Sequence, residues 1–340
     1  MVKTVKSIIK SIFCNGVYYT GLLHVYIKWR FLKRKEYPAV IINYHSFVQN
    51  LDNIIETHPS ITHLIEDFKK EIRFLEQYFN IRSLDDIVDH LSANRKFTKP
   101  TIGLTIDDGY KDNYDLMFPV LKERNIPVTI FLSTAVIGTN LRNWYDRFAN
   151  ILQRTPAAEL RMNGLFGCEK FRIRSMAQKR DVYNRVVQKL KNVDIEQRKN
   201  YLGQAEEQLG PPGEERPLML NWNEVRDMAR SNITFGAHTH THPILTKMPI
   251  EEAKEDIMWS KQIIEEKLGG SVRHFAYPNG RKTDFNKTLT EYCQDIEFSS
   301  VSTFEYGNNK QANDVWELKR IGAESPMSLF AVNVIRAFLS

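Results

Sequence analysis

Cysteine is scarce in this chain of 340 residues: only Cys14, Cys168 and Cys293 are present. An odd and low count excludes a disulfide framework, and no spacing fits a zinc–thiolate site. The sequence therefore predicts free thiols. There is also no long biased tract, and 42% of the residues are hydrophobic. Large-scale disorder is thus excluded, and the chain is long enough to bury a full core.

The chain beyond residue 36 also lacks an excess of basic residues, although the net charge of the whole chain is +6. Residues 1–36 hold eight Lys or Arg and one acid, so they carry +7 and the remainder carries −1. A nucleic-acid-binding surface needs a basic stripe on the folded domain, and this distribution argues against one. We therefore expect no nucleic-acid partner.

The N-terminal segment, residues 1–36, predicts a contact with a membrane surface. Its stretch 11–27 is uncharged and mostly apolar, with basic residues on both sides. Asn15, His24 and two glycines interrupt a stretch already short of the roughly 20 apolar residues that span a bilayer. Interfacial anchoring is the favoured interpretation, with a helix docked on the domain or a true span as alternatives. The lack of a signal-peptide cleavage site favours a cytoplasmic protein or one peripheral at the cytoplasmic membrane face.

Apolar, β-branched runs alternate with stretches of helical spacing, which predicts an α/β fold with a parallel sheet or barrel. Between residues 144 and 217 the runs stop, and charge and helical periodicity predict a helical insertion. Residues 324–340 predict a C-terminal helix with Ser325 as cap and Pro326 at its first position. The predicted strands are 39–44, 101–106, 126–132, 233–237, 273–278, 296–302 and 316–321.

Chemically active residues follow several of these strands directly. They are His45, Asp107 with Asp108, His238 and Tyr277. In α/β barrels the carboxyl ends of the strands form one face, and this face carries the active site. We therefore expect these side chains to share one site.

Two motifs point to metal chemistry. In TIDDG (105–109) two adjacent carboxylates end a strand, and they repel each other unless one binds a cation; a polar turn with an Asp cap is the alternative. HTHTHP (238–243) holds three of the nine histidines, and His238 and His242 are spaced so that one helical turn aligns both imidazoles. Two histidines and one carboxylate form a metal site with open positions, and the other carboxylate is free to act as a base. This combination indicates metal-assisted hydrolysis.

With FAYPNG (275–280), these motifs resemble the polysaccharide deacetylase family, the NodB-like domain of the carbohydrate esterases. The resemblance covers about residues 37–323, interrupted by the insertion. YH at 44–45 and WYDRF at 144–148 resemble the subgroup associated with surface-polysaccharide synthesis.

This resemblance implies a deformed parallel (β/α) barrel of about seven strands and a divalent metal, usually zinc. It implies that Asp108, His238 and His242 hold the metal. Asp107 would then be the base that activates water for attack on the amide carbonyl of an N-acetyl group. Backbone N–H groups of the 277–280 turn are candidates for holding the oxyanion.

The chain departs from the family pattern at two places. The family's Arg in the third motif is missing, and Arg320 is the candidate partner for Asp107; a structural ion pair is the alternative. The late Leu-x-His that supplies a general acid is also missing, because no histidine follows His274. His45 is the candidate replacement, and otherwise the metal-bound water network or Asp107 returns the proton.

Four residues are candidates for contact with substrate, namely Tyr277, Asn279, Trp144 and Asp146; for Tyr277, packing in the protein is the alternative. His240 is predicted to point away from the metal. The predicted function is removal of N-acetyl groups from an amino sugar in a bacterial surface polysaccharide or its lipid-linked precursor. The alternatives are a deformylase or other amide hydrolase acting on a lipid-linked amino sugar, and a non-catalytic sugar- or lipid-binding module.

Overall fold

The computed structural model of the chain describes residues 14–32, 35–50, 61–167, 169–211 and 217–340. The predictions for residues 1–13 and for Cys168 therefore lie outside the described residues. Cys14 and Cys293 are buried free thiols, as the cysteine count predicts.

Parallel strands form a nearly closed barrel. The strands are β1 (Ala39–Tyr44), β2 (Ser46–Val48), β3 (Thr62–Leu64), β4 (Asn80–Arg82), β5 (Thr101–Asp108), β6 (Val128–Leu132), β7 (Glu159–Arg161), β8 (Lys170–Arg172), β9 (Ile233–Ala237), β10 (His274–Ala276), β11 (Ser300–Ser302) and β12 (Arg320–Gly322). Seven of them follow the neighbour order β11-β10-β9-β6-β5-β1-β12, and β4 pairs with the first half of β5. The two ends of this order meet at a parallel bridge between Ser302 and Leu318. The predicted seven-stranded barrel is confirmed.

Helices connect the strands and cover the outside of the barrel. The helices are α1 (Leu22–Leu32), α2 (Ile65–Tyr78), α3 (Leu84–Ser92), α4 (Phe118–Glu123), α5 (Trp144–Arg154), α6 (Met176–Leu190), α7 (Ile195–Leu209), α8 (Trp222–Ala229), α9 (Ile250–Leu268), α10 (Lys287–Asp295) and α11 (Met327–Leu339). α8 begins with a capping box, in which Asn221 and Glu224 exchange side chain-to-backbone hydrogen bonds. A π-helical turn (Asn113–Met117) precedes α4.

A glycine permits close packing between neighbouring strands near the site. A Cβ atom built on Gly236 of β9 would lie 2.6 Å from the ring of Phe131 and 2.8 Å from the carbonyl oxygen of His274. These distances are shorter than van der Waals contact, so any side chain at position 236 would force β9 away from its neighbours.

The insertion between β6 and α8 has a hydrophobic cluster of its own. It contains α5, α6 and α7, and also an antiparallel pair of strands, β7 and β8. The sequence predicts helices alone for this region, and the hairpin escapes prediction because both strands have only three residues. The buried cluster includes Phe148, Leu160, Tyr183 and Leu190.

Two predicted boundaries near the C-terminus are wrong. The run 316–321 is not one strand, because residues Ala312–Glu317 form a 3₁₀ turn and β12 begins only at Arg320. Ser325 does not cap α11; Pro326 occupies the cap position, and the Ser325 hydroxyl lies 3.3 Å from the Asp67 carboxylate and donates to it. A competing acceptor on a neighbouring helix thus removes the expected cap.

Helix α1 lies against the barrel with one face only. Leu23 and Ile27 are buried, and the His24 ring contacts the Tyr78 hydroxyl of α2. On the other face, Leu22 and Val25 are exposed to 61% and 67%. Among the described residues, no helix combines the length and the apolar character that crossing a bilayer requires.

Candidate active site

The carboxyl ends of the barrel strands surround one cavity of about 530 Å³. A cavity of this size is typical of small-molecule and cofactor sites. The predicted site residues that line it are His45, Asp107, Asp108, Trp144, His238, His242, Asn279 and Arg320. Residues separated by more than 270 positions in the chain are therefore brought together by the barrel.

Asp108, His238 and His242 form a buried cluster whose candidate ligand atoms lie within 4.8 Å of one another. Asp108 Oδ1 is 3.4 Å from His238 Nε2 and 3.2 Å from His242 Nε2. The expected helical turn between the histidines is absent. A loop aligns them instead, with positive φ angles of 65° at Thr239 and 54° at His242.

The donor atoms of this cluster fit a divalent cation. No hydrogen-bond donor among the described residues reaches Asp108 Oδ1, although this oxygen is buried. His238 Nδ1 lies 2.7 Å from the Ala276 carbonyl oxygen, so this nitrogen carries the proton and the Nε2 lone pair faces Asp108. Burial raises the pKa of Asp108, but the neighbouring His238 and His242 imidazoles outweigh burial and hold this pKa well below the ordinary value. An ionised carboxylate beside two imidazole nitrogens is a ligand set typical of zinc and related metals.

Asp107 has a different environment although it is the adjacent residue. Arg320 donates two hydrogen bonds to its carboxylate, at 2.7 Å to Oδ1 and 2.9 Å to Oδ2. Asn43 Nδ2 donates a third, at 3.0 Å to Oδ2. Burial raises the pKa of Asp107, but the charge of Arg320 and then that of His238 lower it below the ordinary value. Asp107 is therefore ionised and oriented at neutral pH.

Arg320 is fully buried and is held from three sides. Its Nε donates to the Thr303 carbonyl oxygen at 2.8 Å, and one Nη donates to Asn43 Oδ1 at 2.8 Å. Asn43 was not predicted from the sequence. Its signal was present, because it is a polar residue within the otherwise apolar run 39–44.

His45 lies beside the predicted base. Its Nε2 is 3.8 Å from Asp107 Oδ2, and 18% of its side chain is exposed. Burial lowers the pKa of His45, and this effect outweighs the opposing influence of Asp107. A neutral imidazole at this distance can relay a proton between Asp107 and a substrate atom, and its role as general acid stays a prediction.

Two predicted substrate contacts are wrong. Tyr277 is only 1% exposed, and its ring stacks on Phe285 at 4.6 Å. Its side chain points away from the cavity because successive residues of β10 and its extension alternate in direction. Asp146 is fully buried and accepts a hydrogen bond of 3.0 Å from the Tyr110 hydroxyl. Burial raises the pKa of Asp146 well above the ordinary value.

The turn after β10 presents one backbone donor. The N–H of Tyr277 donates to the Ser302 carbonyl oxygen at 3.1 Å, and that of Gly280 to the Pro278 carbonyl oxygen at 2.7 Å. Pro278 has no N–H. The N–H of Asn279 has no acceptor among the described residues, and Asn279 lines the cavity. Asn279 is therefore the donor in this turn that can meet an oxyanion.

His240 lies outside the ligand cluster, as predicted. Its Nδ1 is 2.9 Å from the Thr134 hydroxyl, and its ring meets the edge of Trp259. The Asp256 carboxylate accepts from its backbone N–H at 2.6 Å. His240 thus fixes the loop that carries His238 and His242.

The chain is similar in sequence to known proteins. The model of the polysaccharide deacetylase family matches residues 94–301. A curated relative, the poly-beta-1,6-N-acetyl-D-glucosamine N-deacetylase of Staphylococcus epidermidis, is 27% identical over 225 residues, which are 60% of this chain and 73% of the relative.

Solved structures share the fold. The Streptococcus pyogenes deacetylase PplD in complex with acetate has a TM-score of 0.59 and 15% identity, covering 89% of this chain and 99% of that one. IcaB from Ammonifex degensii has a TM-score of 0.56 and 18% identity, covering 88% and 97%.

The family match spans more than half of the chain, and it includes Asp107, Asp108, His238 and His242. It confirms the resemblance inferred from the sequence motifs, and with it the hydrolase activity. The chain belongs to the polysaccharide deacetylase family.

Proposed function

We propose that this enzyme removes N-acetyl groups from an amino sugar of a bacterial surface polysaccharide, with zinc held by Asp108, His238 and His242. One observation carries the proposal: the buried carboxylate–imidazole cluster adjoins a second, ionised carboxylate, Asp107. The substrate class is supported by the staphylococcal relative, whose name gives a β-1,6-linked N-acetylglucosamine polymer as its substrate.

The reaction follows from the positions of these groups. Asp108, His238 and His242 would hold a divalent cation, which would supply Lewis acidity toward the amide carbonyl and water. Asp107 takes the proton of the attacking water, while Arg320 and Asn43 keep its carboxylate charged and oriented. The N–H of Asn279 donates to the developing oxyanion. When the C–N bond breaks, the proton on Asp107 passes to the leaving nitrogen, directly or through His45, and acetate and a free amine result.

An acyl-release assay tests this proposal on N-acetylated and N-formylated forms of the same β-1,6-linked polymer. We expect acetate release by the wild type, and loss of at least about 100-fold in Asp107→Asn because the base is gone. His238→Ala is expected to be inactive. Faster release of formate would identify a deformylase. Equal rates for wild type and both variants would contradict the mechanism, and no release from any substrate would favour a binding module.

We propose further that residues 1–36 bring the enzyme to an anionic membrane surface, peripheral at its cytoplasmic face, where lipid-linked precursors are within reach. Five of the eleven large hydrophobic side chains that are exposed among the described residues fall between 19 and 29, and Trp29 is one of them. Lys28 and Arg30 lie in the same helix. An apolar face with an aromatic residue and flanking cations suits a lipid interface.

Vesicle cosedimentation tests the membrane proposal. The triple variant Leu22→Gln, Val25→Gln, Trp29→Gln removes the exposed face and keeps the buried contacts of Leu23 and Ile27. We expect the wild type to bind vesicles containing anionic lipid and the triple variant to stay in the supernatant, with weaker binding at high salt. If neither this variant nor deletion of residues 1–36 changes cosedimentation with the vesicles, the proposal is refuted. Deacetylation of a lipid-linked oligosaccharide in the same vesicles tests whether the enzyme acts on a lipid-linked precursor.

A further inference from the structure

We propose that Tyr145, in the first turn of the insertion helix α5, is a positioning residue that determines which carboxylate oxygen of Asp108 faces the metal. This inference rests on the metal site proposed above. Tyr145 lies 37 positions from Asp108 in the chain and comes from outside the barrel. The insertion would then belong to the metal site and would not merely cover the cavity.

The two oxygens of Asp108 have different partners. The Tyr145 hydroxyl donates to Oδ2 at 3.0 Å, whereas Oδ1 has no donor among the described residues and faces both imidazoles. A carboxylate that is free to rotate can offer either oxygen or both to a cation. The hydrogen bond from Tyr145 leaves Oδ1 as the oxygen that is free to bind it.

The direction of this hydrogen bond is also determined. Asn143 Nδ2 donates to the Tyr145 hydroxyl oxygen at 3.0 Å. Because that hydroxyl has a single proton and already accepts from Asn143, its proton is directed to the Asp108 carboxylate. Asn143, Tyr145 and Asp108 are all buried, and burial strengthens hydrogen bonds between them.

Tyr145 also contacts a second member of the cluster. Its ring meets the His242 ring edge-on, with centroids 5.2 Å apart. His238 is oriented by the Ala276 carbonyl group, but His242 Nδ1 finds no hydrogen-bond partner among the residues that the structure describes. Packing against Tyr145 therefore replaces, for His242, the hydrogen bond that usually orients a ligating imidazole.

The insertion keeps Tyr145 in place. One turn further along α5, Phe148 is fully buried in the cluster of the insertion, and its ring stacks on Tyr183 with centroids 6.0 Å apart. Trp144 lies under the Arg198 guanidinium of α7, 4.6 Å from the ring centroid. The position of the Tyr145 hydroxyl is thus set by packing within residues 144–209.

Zinc titration of the full-length protein tests this inference without any substrate. The metal is removed with a chelator, and Zn²⁺ is returned in competition with a chromophoric chelator to give a Kd. We expect Tyr145→Phe to weaken zinc binding by about 10- to 100-fold, the usual effect of removing a group that orients a metal ligand. Tyr183→Phe is the matched control, because it deletes the same atom from another buried tyrosine of the insertion, and its Kd should equal that of the wild type. The visible spectrum of the Co²⁺ form should change in Tyr145→Phe only.

The variant His238→Ala distinguishes a failure of the proposed role of Tyr145 from a failure of the proposed metal site. If His238→Ala loses zinc and Tyr145→Phe binds it as tightly as the wild type, the role of Tyr145 is refuted and the metal site stands. If neither variant changes zinc binding, the metal site fails and the inference fails with it. A 10-fold or greater loss in Tyr145→Phe with unchanged thermal stability of the metal-free protein supports the inference.

Discussion

Replacing Arg320 with glutamine is expected to change both the stability and the pH dependence of the enzyme. Arg320 and Asp107 are 1% and 3% exposed, and two hydrogen bonds of 2.7 and 2.9 Å join them. Arg320→Gln leaves the Asp107 carboxylate buried without its cation. Removing one partner of a buried pair typically costs about 3–5 kcal/mol of unfolding free energy. The remaining donor of Asn43 offsets a small part of this cost.

The sign of the pH effect follows from the causes of the Asp107 pKa. Burial raises this pKa, and Arg320 is the first of the groups that lower it, with a net result below the ordinary value. Without Arg320 the largest of the lowering influences is lost, so the pKa of Asp107 rises. Because the ionised form of Asp107 is the proposed base, the acid limb of kcat/KM should move to higher pH. On that limb, activity at a given pH falls in proportion to the ionised fraction of Asp107.

The difference in unfolding free energy between the wild type and Arg320→Gln should also depend on pH. In the wild type the folded-state pKa is depressed, so the stabilisation is present above the unfolded pKa of about 3.9 and is lost as pH falls through the folded value. The deficit of Arg320→Gln should therefore be largest at neutral pH and shrink in acid. Urea unfolding between pH 4 and 8, together with kcat/KM profiles, measures both effects.

Two further variants control this experiment. Arg320→Lys keeps the charge but loses the two-pronged geometry, so its acid limb should lie between those of the wild type and Arg320→Gln. The double variant Asp107→Asn, Arg320→Gln buries no charge and should be more stable than Arg320→Gln alone. The loss of unfolding free energy in Arg320→Gln could instead be constant with pH, with the acid limb of kcat/KM at the wild-type position. This result would show that Arg320 does not hold Asp107 ionised.

Three other perturbations have definite outcomes. Asp108→Asn should abolish zinc binding while Asp107→Asn retains it, as measured by zinc content after dialysis; equal retention would contradict the assignment of the ligand. Burial raises the pKa of Asp112 to about 7, so wild-type unfolding free energy should fall as pH rises from about 4 to 7, and Asp112→Asn should flatten that slope in urea titrations. Gly236→Ala should cost about 1–3 kcal/mol, seen as a lower Tm, because its Cβ has no room between neighbouring strands; an unchanged Tm would contradict this.

Local patterns in the sequence were sufficient for most of the barrel. Apolar runs such as 39–44 and 101–106 predict β1 and β5 because buried parallel strands are apolar on both faces. The capping box at Asn221 is equally local, since both of its bonds lie within four residues. By contrast, the hairpin of β7 and β8 depends on pairing between residues 159–161 and 170–172, and strands of three residues have no resolvable period.

The surroundings of the site depend on contacts that no local pattern contains. Asn43 meets Asp107 across 64 positions and Arg320 across 277. Tyr277 follows a strand just as His238 does, yet its side chain packs into the core. One residue of register decides between the two outcomes, because side chains on a strand alternate in direction.

Asp107 and Asp108 show most clearly how the barrel gives two adjacent carboxylates different surroundings. As neighbours of identical chemistry, they cannot be distinguished by composition or spacing. The backbone turns to a φ of +78° at Asp108, which brings both carboxylates to the same cavity although they are consecutive in a strand. Their partners then separate them: a permanent cation, Arg320, neutralises Asp107, whereas Asp108 faces two imidazoles that are free to bind a metal. The donor-free Oδ1 of Asp108 is available to a metal, and the Asp107 carboxylate, whose charge Arg320 balances, is available to accept a proton, so the two proposed roles follow from the partners.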